Sequence, residues 1–501
     1  MTKPENKPEN RPENRPESRP DGRHEAQPTR SFTVSPARKV AASILLQLEQ
    51  RSTHADELLR SPRVDALSLA DRHLATTLVM GVVRWRILLD ARVELLLTRP
   101  AAKLDPEIRI ALRLAAFQIL FLERIPVHAA INESVALAKI AGHRFAAGMV
   151  NAVLRKLAQQ HESVTIPGLP ATPGDLAAAY AHPAWIVERW VARFGFDQAK
   201  LLCQHGQQQP EIALRIPDAD QAAEIERELE TEGIQLAPGA LLSSARRLVS
   251  GDLAGANVLR EARIRIQDEG SQLIAELAGE GQRILDCCAA PGGKTLILAE
   301  RNPHARILAC EASPARLAAM RERFSTTANQ FLARGVETRL IDATTLFRLS
   351  RASDSTNFDL ALVDAPCSGT GTLGRNPEIR HRLRPEDLAL HHQRQCDLLR
   401  AALDVSDQRV LYSTCSLEPE ENQEVVAEVL AENPLWKQVS LLDRIESLRR
   451  QNRLTPLGAE YLHRSLLPNG ALQLMPAAVD ENLRVSTDSF YLAIFERIEH
   501  D

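Results

Sequence analysis

Read as a pattern of apolar and polar positions, the chain falls into four parts. Residues 3 to 22 carry a period-four repeat, KPEN, KPEN, RPEN, RPES, RPDG, with Pro in every unit and no apolar side chain. Such a segment can build neither a helix interior nor a core, so a disordered tail is expected over 1–34. From there the pattern turns helical. Ser35 is a candidate N-cap before Pro36 at the first helical position, and Val40, Ile44 and Leu48 recur at i, i+4 and i+8. Asp105-Pro106-Glu107 opens a stretch through Arg124 that is apolar on most sides, with Arg109 and Arg113 on its one polar stripe, as the central helix of a bundle would be. Helices over 132–140 and 150–157 complete an all-α domain over 35–160.

The segment ESVTIPGLPATPGD reads as a Pro/Gly-rich linker. Helical HPAWIVERWVARFG, the short run IALRIPD, helical AAEIERELETEG and β-like RRLVSG follow, which predicts a small α+β connector domain over 161–265. After that, strands and helices alternate. RILDCCAA, RILACEA, VETRLIDA, FDLALVDAP and RVLYSTCS are apolar and rich in β-branched residues, and helix-like segments separate them. That rhythm means βαβ units and a doubly wound parallel sheet, an α/β Rossmann-like domain over 266–501. ALQLMP and SFYLAIFERI read as two further strands closing the sheet.

Composition narrows the class. With 501 residues the chain has length for about three domains, and 44% apolar with 25% charged residues is ordinary globular usage. No run approaches 18 uncharged apolar residues, so no bilayer span and no membrane partner are expected. The opening MTKPENKPEN lacks the apolar core of a secretory signal, which points to a cytoplasmic protein. The seven cysteines, at 203, 287, 288, 310, 367, 396 and 415, show no paired CxxC spacing, so neither a zinc site nor a disulfide framework is expected. The net charge of −4 hides an asymmetry: residues 36–160 hold 18 basic and 11 acidic side chains, residues 161–501 hold 36 and 48. A basic helical module on an acidic remainder suggests a polyanionic partner, with solvated Arg-rich helix faces as the plainer alternative. Aromatic content of 4% argues against a surface of stacked rings.

In a doubly wound sheet, ligands lie over the carboxyl ends of the strands, at the switch point beside the first. Here that end reads Asp286-Cys287-Cys288-Ala289-Ala290-Pro291-Gly292-Gly293-Lys294-Thr295. Its small residues allow a ligand close to the backbone, and the following helix offers free N–H groups. A P-loop would need Gly where Cys288 stands, and GxGxxG is absent, so the loop suits a nucleoside-like ligand without necessarily holding a phosphate. Glu311, Asp342 and Asp364 end the next three strands. Each alone could be a cap or turn residue, but three at successive strand ends favour a nucleoside site, with Glu311 toward the ribose hydroxyls and Asp342 near an adenine edge. Cys367 and Cys415 lie in polar Gly/Ser/Thr-rich loops after the fourth and fifth strands, where a thiolate can be exposed and stabilised, whereas Cys203, Cys310 and Cys396 read as buried small hydrophobes.

LDCCAAPGGKT, LVDAPCSGTGTLGRNPEI and YSTCSLEPEEN resemble the motifs of bacterial RNA cytosine-5 methyltransferases that use S-adenosylmethionine. PVHAAINESVALAK and GMVNAVLRKL resemble the NusB-like domain of one branch, the RsmB (Sun/Fmu) enzymes acting on small-subunit rRNA, and the likeness runs from about residue 36 onward. The resemblance implies methylation of carbon 5 of a cytidine in 16S rRNA through a covalent cysteine–cytosine adduct, by a monomer without a metal. Carbon 5 is a poor nucleophile, and thiolate addition to carbon 6 turns it into an enamine-like carbon able to attack a sulfonium methyl. Cys415 is implied as the attacking cysteine, and Cys367 as the one assisting release. Asp364 would hydrogen-bond the cytosine amino group and N3. Cys288, Ala289, Ala290, Pro291, Gly292, Gly293, Lys294, Glu311, Asp342 and Asp364 are implied as the cofactor site, with Lys294 alternatively a first-turn helix residue pointing at Asp364. Glu311 stands where Asp is usual, and Asp488-Ser489-Phe490-Tyr491 replaces a common Asp-Gly-Phe-Phe pattern.

The target base would have to leave its stack. Arg375, Asn376, Arg380 and His381 are candidates for RNA backbone contacts, or a solvated charged loop. Three rivals stand beside this reading: the same chemistry on tRNA or another rRNA site, a non-catalytic RNA-binding assembly or antitermination factor, and a DNA methyltransferase. The last would not need the TCS motif.

Overall fold

A computed structural model describes residues 33–50, 53–98, 104–160, 170–346, 357–478 and 484–498. The Pro-rich repeat lies outside them. The N-terminal part is all helical, with principal helices Pro36–Gln50, Leu69–Glu94, Pro106–Phe121, Val127–Ile140 and Ala147–Gln159. Pro106–Phe121 is the central one: 11 of its 16 residues are buried, including Arg113 and Gln118. It crosses Leu69–Glu94 where a Cβ on Gly81 would fall 2.0 Å from the Phe117 ring, so only glycine allows the two helices to approach this closely. Ser35 directly precedes its helix, and its carbonyl accepts the Lys39 N–H at 3.1 Å. Its hydroxyl donates to Glu133 at 2.7 Å, which ties the first helix to Val127–Ile140. The 26-residue helix Leu69–Glu94 escaped the sequence reading.

The connector region divides in two. Helices Pro173–Ala179, Ala184–Phe194 and Phe196–Gln207 bury Ile186, Val187, Trp190 and Leu202 together with Leu373 and Leu417, which come from the C-terminal part of the chain. The α+β piece proper is a four-stranded sheet in the order Gln235–Pro238, Ala245–Ser250, Ala213–Arg215, Arg265–Ile266, all antiparallel, with Ala222–Thr231 seating Ile225 and Leu229 on it.

The C-terminal sheet contains β1 (Arg283–Asp286), β2 (Arg306–Glu311), β3 (Val336–Leu340), β4 (Phe358–Asp364), β5 (Ser406–Thr414), β6 (Trp436–Val439), β7 (Leu472–Leu474) and β8 (Phe490–Arg497). Their order is β6-β8-β5-β4-β1-β2-β3, with β7 paired to β8. β3, β2, β1, β4 and β5 are mutually parallel, and β8 runs antiparallel to β5. β6, a four-residue edge strand beyond β8, was not expected. The order reverses direction between β1 and β4, so a crevice opens above their carboxyl ends. Among the described residues no helix is long and apolar enough to cross a membrane.

Arg215, fully buried in the connector sheet, ion-pairs with Glu276 at 2.6 Å and Glu300 at 2.6 Å, while Arg301 also reaches Glu276 at 2.8 Å. Removing the charge of one partner in such a buried network costs about 3 kcal/mol or more, because the remaining charges lose their compensation. Glu276→Gln is therefore expected to lower the free energy of unfolding by that amount, seen as a lower urea midpoint with an unchanged m-value. A midpoint equal to the parent's would contradict it.

Candidate active site

The crevice is built from the ends of β1 to β5. After Asp286 the chain turns through Cys287 to Gly292 into helix Gly293–Arg301. Gly292 has φ +93° and a Cβ there would meet the Phe324 ring at 2.6 Å; one on Gly293 would meet Gln267 at 2.9 Å. Both glycines are therefore needed to fold the loop tightly over the sheet. Ala289 and Ala290 are buried and Pro291 is exposed. The half-buried Cys288 thiol is pushed well up, first by burial and then by the charges of Asp286, Asp364 and Glu311, which makes it a poor nucleophile.

Glu311 is 4% exposed at the end of β2, accepts the Ser313 N–H at 2.8 Å and has Arg316 at 3.5 Å. Asp342, after β3, caps a short turn by accepting the Thr344 N–H at 3.2 Å and hydroxyl at 2.9 Å, and meets Arg394 at 3.2 Å. Its local role is thus the turn residue, on the rim of the same crevice. Asp364 accepts Lys294 Nζ at 2.7 Å and the Ser413 hydroxyl at 2.8 Å. Burial would depress the Lys294 ammonium, but Asp364 overrides it and holds it above its usual value. Lys294 thus points at Asp364, one of the two roles left open for it.

Cys367 and Cys415 meet. In the parallel pairing of β4 and β5, Asp364 lies opposite Ser413, so the loops leaving the two strands run side by side. The Cys367 and Cys415 Sγ atoms are 3.3 Å apart. Gly371 donates its N–H to the Cys415 carbonyl at 2.9 Å, and a Cβ there would lie 2.8 Å from that oxygen, so glycine permits the contact. The Cys367 thiol is pushed well above its usual value by its hydrogen bond to Cys415, by burial and by the charges of Cys415 and Glu421. Cys203, Cys310 and Cys396 are buried, and burial pushes their thiols up to about 12.

The residues after the Cys367 loop are not an RNA-facing patch, which corrects the expectation for Arg375, Asn376, Arg380 and His381. Arg375 bridges Asp268 and Asp488, each at 2.7 Å. The Asn376 amide donates to the Thr372 hydroxyl at 3.1 Å. Arg380, 2% exposed, donates to the carbonyls of Arg84, Ala181, Gly206 and Leu373, and His381 meets the Val83 carbonyl at 2.7 Å. Arg380 is buried, and Arg375, Asn376 and His381 half-buried, where the helical domain, the three connector helices and the sheet domain meet. A cleft of about 360 Å³ opens beside them, lined by Glu49, Arg86, Arg109, Arg113, Glu378 and Arg382 among others. It lies away from the strand ends.

The sequence reading missed the residues that hold the two cysteine loops: Glu421, Asn422, Ser368, Ser416 and Gln395, all buried. Asn422 accepts from the Thr414 hydroxyl at 2.5 Å and donates to the Ser416 carbonyl at 2.9 Å, fixing both sides of Cys415. The signal was the polar Glu-Glu-Asn run of YSTCSLEPEEN, read only as a helix start.

Three family models match the chain: "16S rRNA methyltransferase RsmB/F" over residues 275–495, "NusB family" over 35–159 and an RsmF/B-like ferredoxin-like domain over 182–251. A Bacillus subtilis (strain 168) protein named "Probable ribosomal RNA small subunit methyltransferase B" is 32% identical over 406 residues, covering 79% of this chain and 88% of its own. Ribosomal RNA small subunit methyltransferase B of Pseudomonas syringae pv. tomato is 32% identical over 377 residues, covering 74% and 81%. The solved structure of PH0851 shares the fold with a TM-score of 0.70 at 21% identity, over 93% of this chain and 99% of that one.

Asp286 gives the crevice a measurable signature. It is 1% exposed and accepts the Thr295 hydroxyl at 2.8 Å, while its Oδ1 has no partner among the described residues. Burial pushes its carboxyl up to about 6, with Thr295 opposing and Asp364 adding to the rise. An acid raised in this way binds more protons folded than unfolded, so its favourable contribution is complete below the usual carboxylate range and is lost as pH rises through about 6. The stability of Asp286→Asn relative to the parent should therefore grow by about 2 kcal/mol between about pH 4 and pH 7. Urea unfolding across that range measures it, and parallel curves would contradict the assignment.

Proposed function

Because this chain belongs to the RsmB/F family of rRNA methyltransferases, an S-adenosylmethionine-dependent enzyme of RNA, we propose that it methylates carbon 5 of a cytidine in 16S rRNA through a transient bond from Cys415 to the base. The observation that carries this reading is the pair of thiols 3.3 Å apart at the strand ends beside the crevice.

The crevice suits the methyl donor. Carboxylates of Asp286, Glu311, Asp342 and Asp364 surround a loop of Ala and Gly, an acceptor set that fits a cationic sulfonium and ribose hydroxyls and disfavours a phosphate. The Oδ1 of Asp286, buried without a partner, is one acceptor aimed into this region. The segment from Cys288 to Lys294 would cradle the donor, Glu311 would take the ribose hydroxyls, and Asp342 would lie at the base edge. When bound, S-adenosylmethionine supplies an electrophilic methyl group.

The protein's own residues do the rest. The Cys415 thiolate adds to carbon 6 of the flipped cytosine, and the electron pair it displaces makes carbon 5 nucleophilic. Asp364, held by Lys294 and Ser413, faces the base edge, where it would hydrogen-bond the amino group and favour protonation of N3 as carbon 6 is attacked. Cys367 keeps its proton at neutral pH and stands against the Cys415 sulfur. It is placed to assist release: carbon 5 gives its proton to water, the electron pair left behind re-forms the double bond between carbons 5 and 6, and the Cys415 sulfur leaves as a thiolate beside the Cys367 S–H.

The helical domain would grip the larger RNA. In the interdomain cleft, Arg86, Arg109 and Arg113 converge on Glu49 at 3.7 Å, at 3.2 Å and in a short contact respectively. Burial would raise the Glu49 carboxyl, but Arg113 and its neighbours hold it below its usual value. With Arg382 and Glu378 the lining keeps an excess of positive charge. The chain is taken to act as a monomer in the cytoplasm, without a metal.

Bisulfite sequencing of total RNA from cells with and without the protein tests the reading: loss of one 5-methylcytosine signal in 16S rRNA is expected. A lost signal in tRNA or 23S rRNA would overturn the substrate, and no change at all would favour a non-catalytic binding factor. Cys415→Ala should abolish transfer with donor binding retained, while Cys367→Ala should slow turnover by about 100-fold and accumulate a covalent RNA adduct visible on denaturing gels. Transfer at the parent rate by Cys415→Ala would sink the assignment. For RNA binding, Arg86→Gln combined with Arg109→Gln should reduce the slope of log K against log salt by about 2. An unchanged slope would place the RNA elsewhere.

A further inference from the structure

The two cysteine loops are joined by one buried carboxylate. Glu421 is 0% exposed. One of its oxygens accepts the Ser368 N–H at 2.7 Å and the Gln395 amide at 3.1 Å. The other accepts the hydroxyls of Ser368 and Ser416 in two short contacts. Ser368 follows Cys367 and Ser416 follows Cys415, and the two hydroxyls also meet each other at 3.2 Å. Gln395 reaches past Glu421 to the Pro366 carbonyl at 2.9 Å, on the other side of Cys367. The backbone of Glu421 is itself fixed, since its carbonyl accepts the buried Tyr412 hydroxyl at 2.7 Å from within β5.

We propose that Glu421 is a positioning residue for the two-cysteine reaction: by bridging Ser368 and Ser416 it sets the spacing of the Cys367 and Cys415 sulfurs. Four donors from three residues converge on one carboxylate, and no cation is among them. A buried anion satisfied only by neutral donors is costly to keep for stability alone, since an apolar side chain of similar volume fills such a place without desolvation. What this arrangement gives that an apolar residue does not is a fixed join between loops 48 positions apart in sequence, at the point where each carries its thiol. The charge has a second consequence: it adds to the rise of the Cys367 thiol. The inference rests on the proposed two-cysteine mechanism for its catalytic meaning, but the spacing itself is testable without RNA.

Phenylarsine oxide reads that spacing. One trivalent arsenic takes two nearby thiols, forming two S–As bonds, while the As=O oxygen leaves as water with the two thiol protons. The full chain is expected to bind one arsenical across Cys367 and Cys415, located by peptide mapping. Glu421→Gln keeps the side-chain shape and loses the charge. The Ser368→Ala/Ser416→Ala double variant removes the bridge while leaving the Ser368 N–H and the Gln395 amide on Glu421, and serves if Glu421→Gln fails to fold. Either variant, shown folded by thermal unfolding and by donor binding like the parent's, should lose at least about tenfold in arsenical affinity, because the advantage of two preorganised thiols is lost. In methyl transfer kcat should fall by about 100-fold with KM for RNA nearly unchanged, as expected when reacting groups shift by about 1 Å. Parent-like arsenical affinity in folded variants overturns the proposal, as does failure of the parent to bridge the two thiols. A merely structural role would lower the unfolding temperature and leave both the affinity and kcat of the folded enzyme intact. If the arsenical responds as expected but the parent methylates no RNA, the functional reading fails and the positioning role stands.

Discussion

The active rim depends on the parallel pairing of β4 with β5. A parallel ladder fixes not only which strands are neighbours but which residues leave the sheet together. Here the register sets Asp364 beside Ser413, and the two share a hydrogen bond of 2.8 Å. Everything chemical follows within three residues: Cys367 on one loop, Cys415 on the other. A register slip by one residue would turn each strand's end toward the opposite face and separate the thiols. The fold protects the register from both sides, since β4 also pairs with β1 and β5 also pairs with β8. The polar joins beyond the strands, Gly371 to the Cys415 carbonyl and Glu421 to both serines, extend that pairing into loops that have no ladder of their own.

The same loop is held from the far side by the helical domain. Arg84 donates to the Gly374 carbonyl at 2.9 Å, and Arg382 donates to the Leu48 carbonyl at 3.0 Å. The Glu378 carboxylate, 3% exposed, takes His54 Nδ1 at 2.8 Å. Arg380 is the centre of this contact: burial pushes its guanidinium down to about 9, yet it is held by four carbonyls drawn from three parts of the chain. Backbone carbonyls are suitable partners because they cannot move away without breaking the elements that carry them. The proposed RNA-gripping domain and the proposed chemical loop are thus one packed unit.

How much of this was legible in the sequence follows a physical divide. Strands β1 to β5 were readable because each is a short apolar run ending in a polar motif, and such a pattern has few alternatives. The meeting of Cys367 and Cys415 could be anticipated from their places after adjacent strands. Helix Leu69–Glu94 was not, because its buried positions include Arg84 and Gly81 and its apolar side chains do not form one clean stripe. Arg375 and Arg380 were misread for a related reason. A charged residue in a loop is usually solvated, and here the groups that bury it lie far away along the chain, as the Arg84 carbonyl does 296 positions from Arg380. Glu421 was hidden in the same way: its partner Ser368 is 53 positions off, and only the tertiary fold converts an acidic helix start into a buried join.

The charge asymmetry visible in the sequence takes its meaning from where the fold puts each sign. The helical segment 36–160 is net basic and the remainder net acidic. The acidic side chains that matter stand around the crevice, where Asp286, Asp364 and Glu311 add to the rise that burial imposes on the Cys288 thiol. Such a site favours a cation and resists the approach of a phosphate backbone. The basic side chains gather instead around the interdomain cleft, where Arg86, Arg109 and Arg113 exceed by one charge what Glu49 and Asp90 neutralise. A cationic methyl donor and a polyanionic acceptor would then be drawn to different faces by opposite fields, and would meet only where a single base is turned inward. Lys294 lies at that boundary, with its ammonium on Asp364 and 5.9 Å from the centre of the Phe490 ring. There it balances the crevice's negative charge beside Cys415, the one position in the crevice where a thiolate must be tolerated for the proposed chemistry to begin.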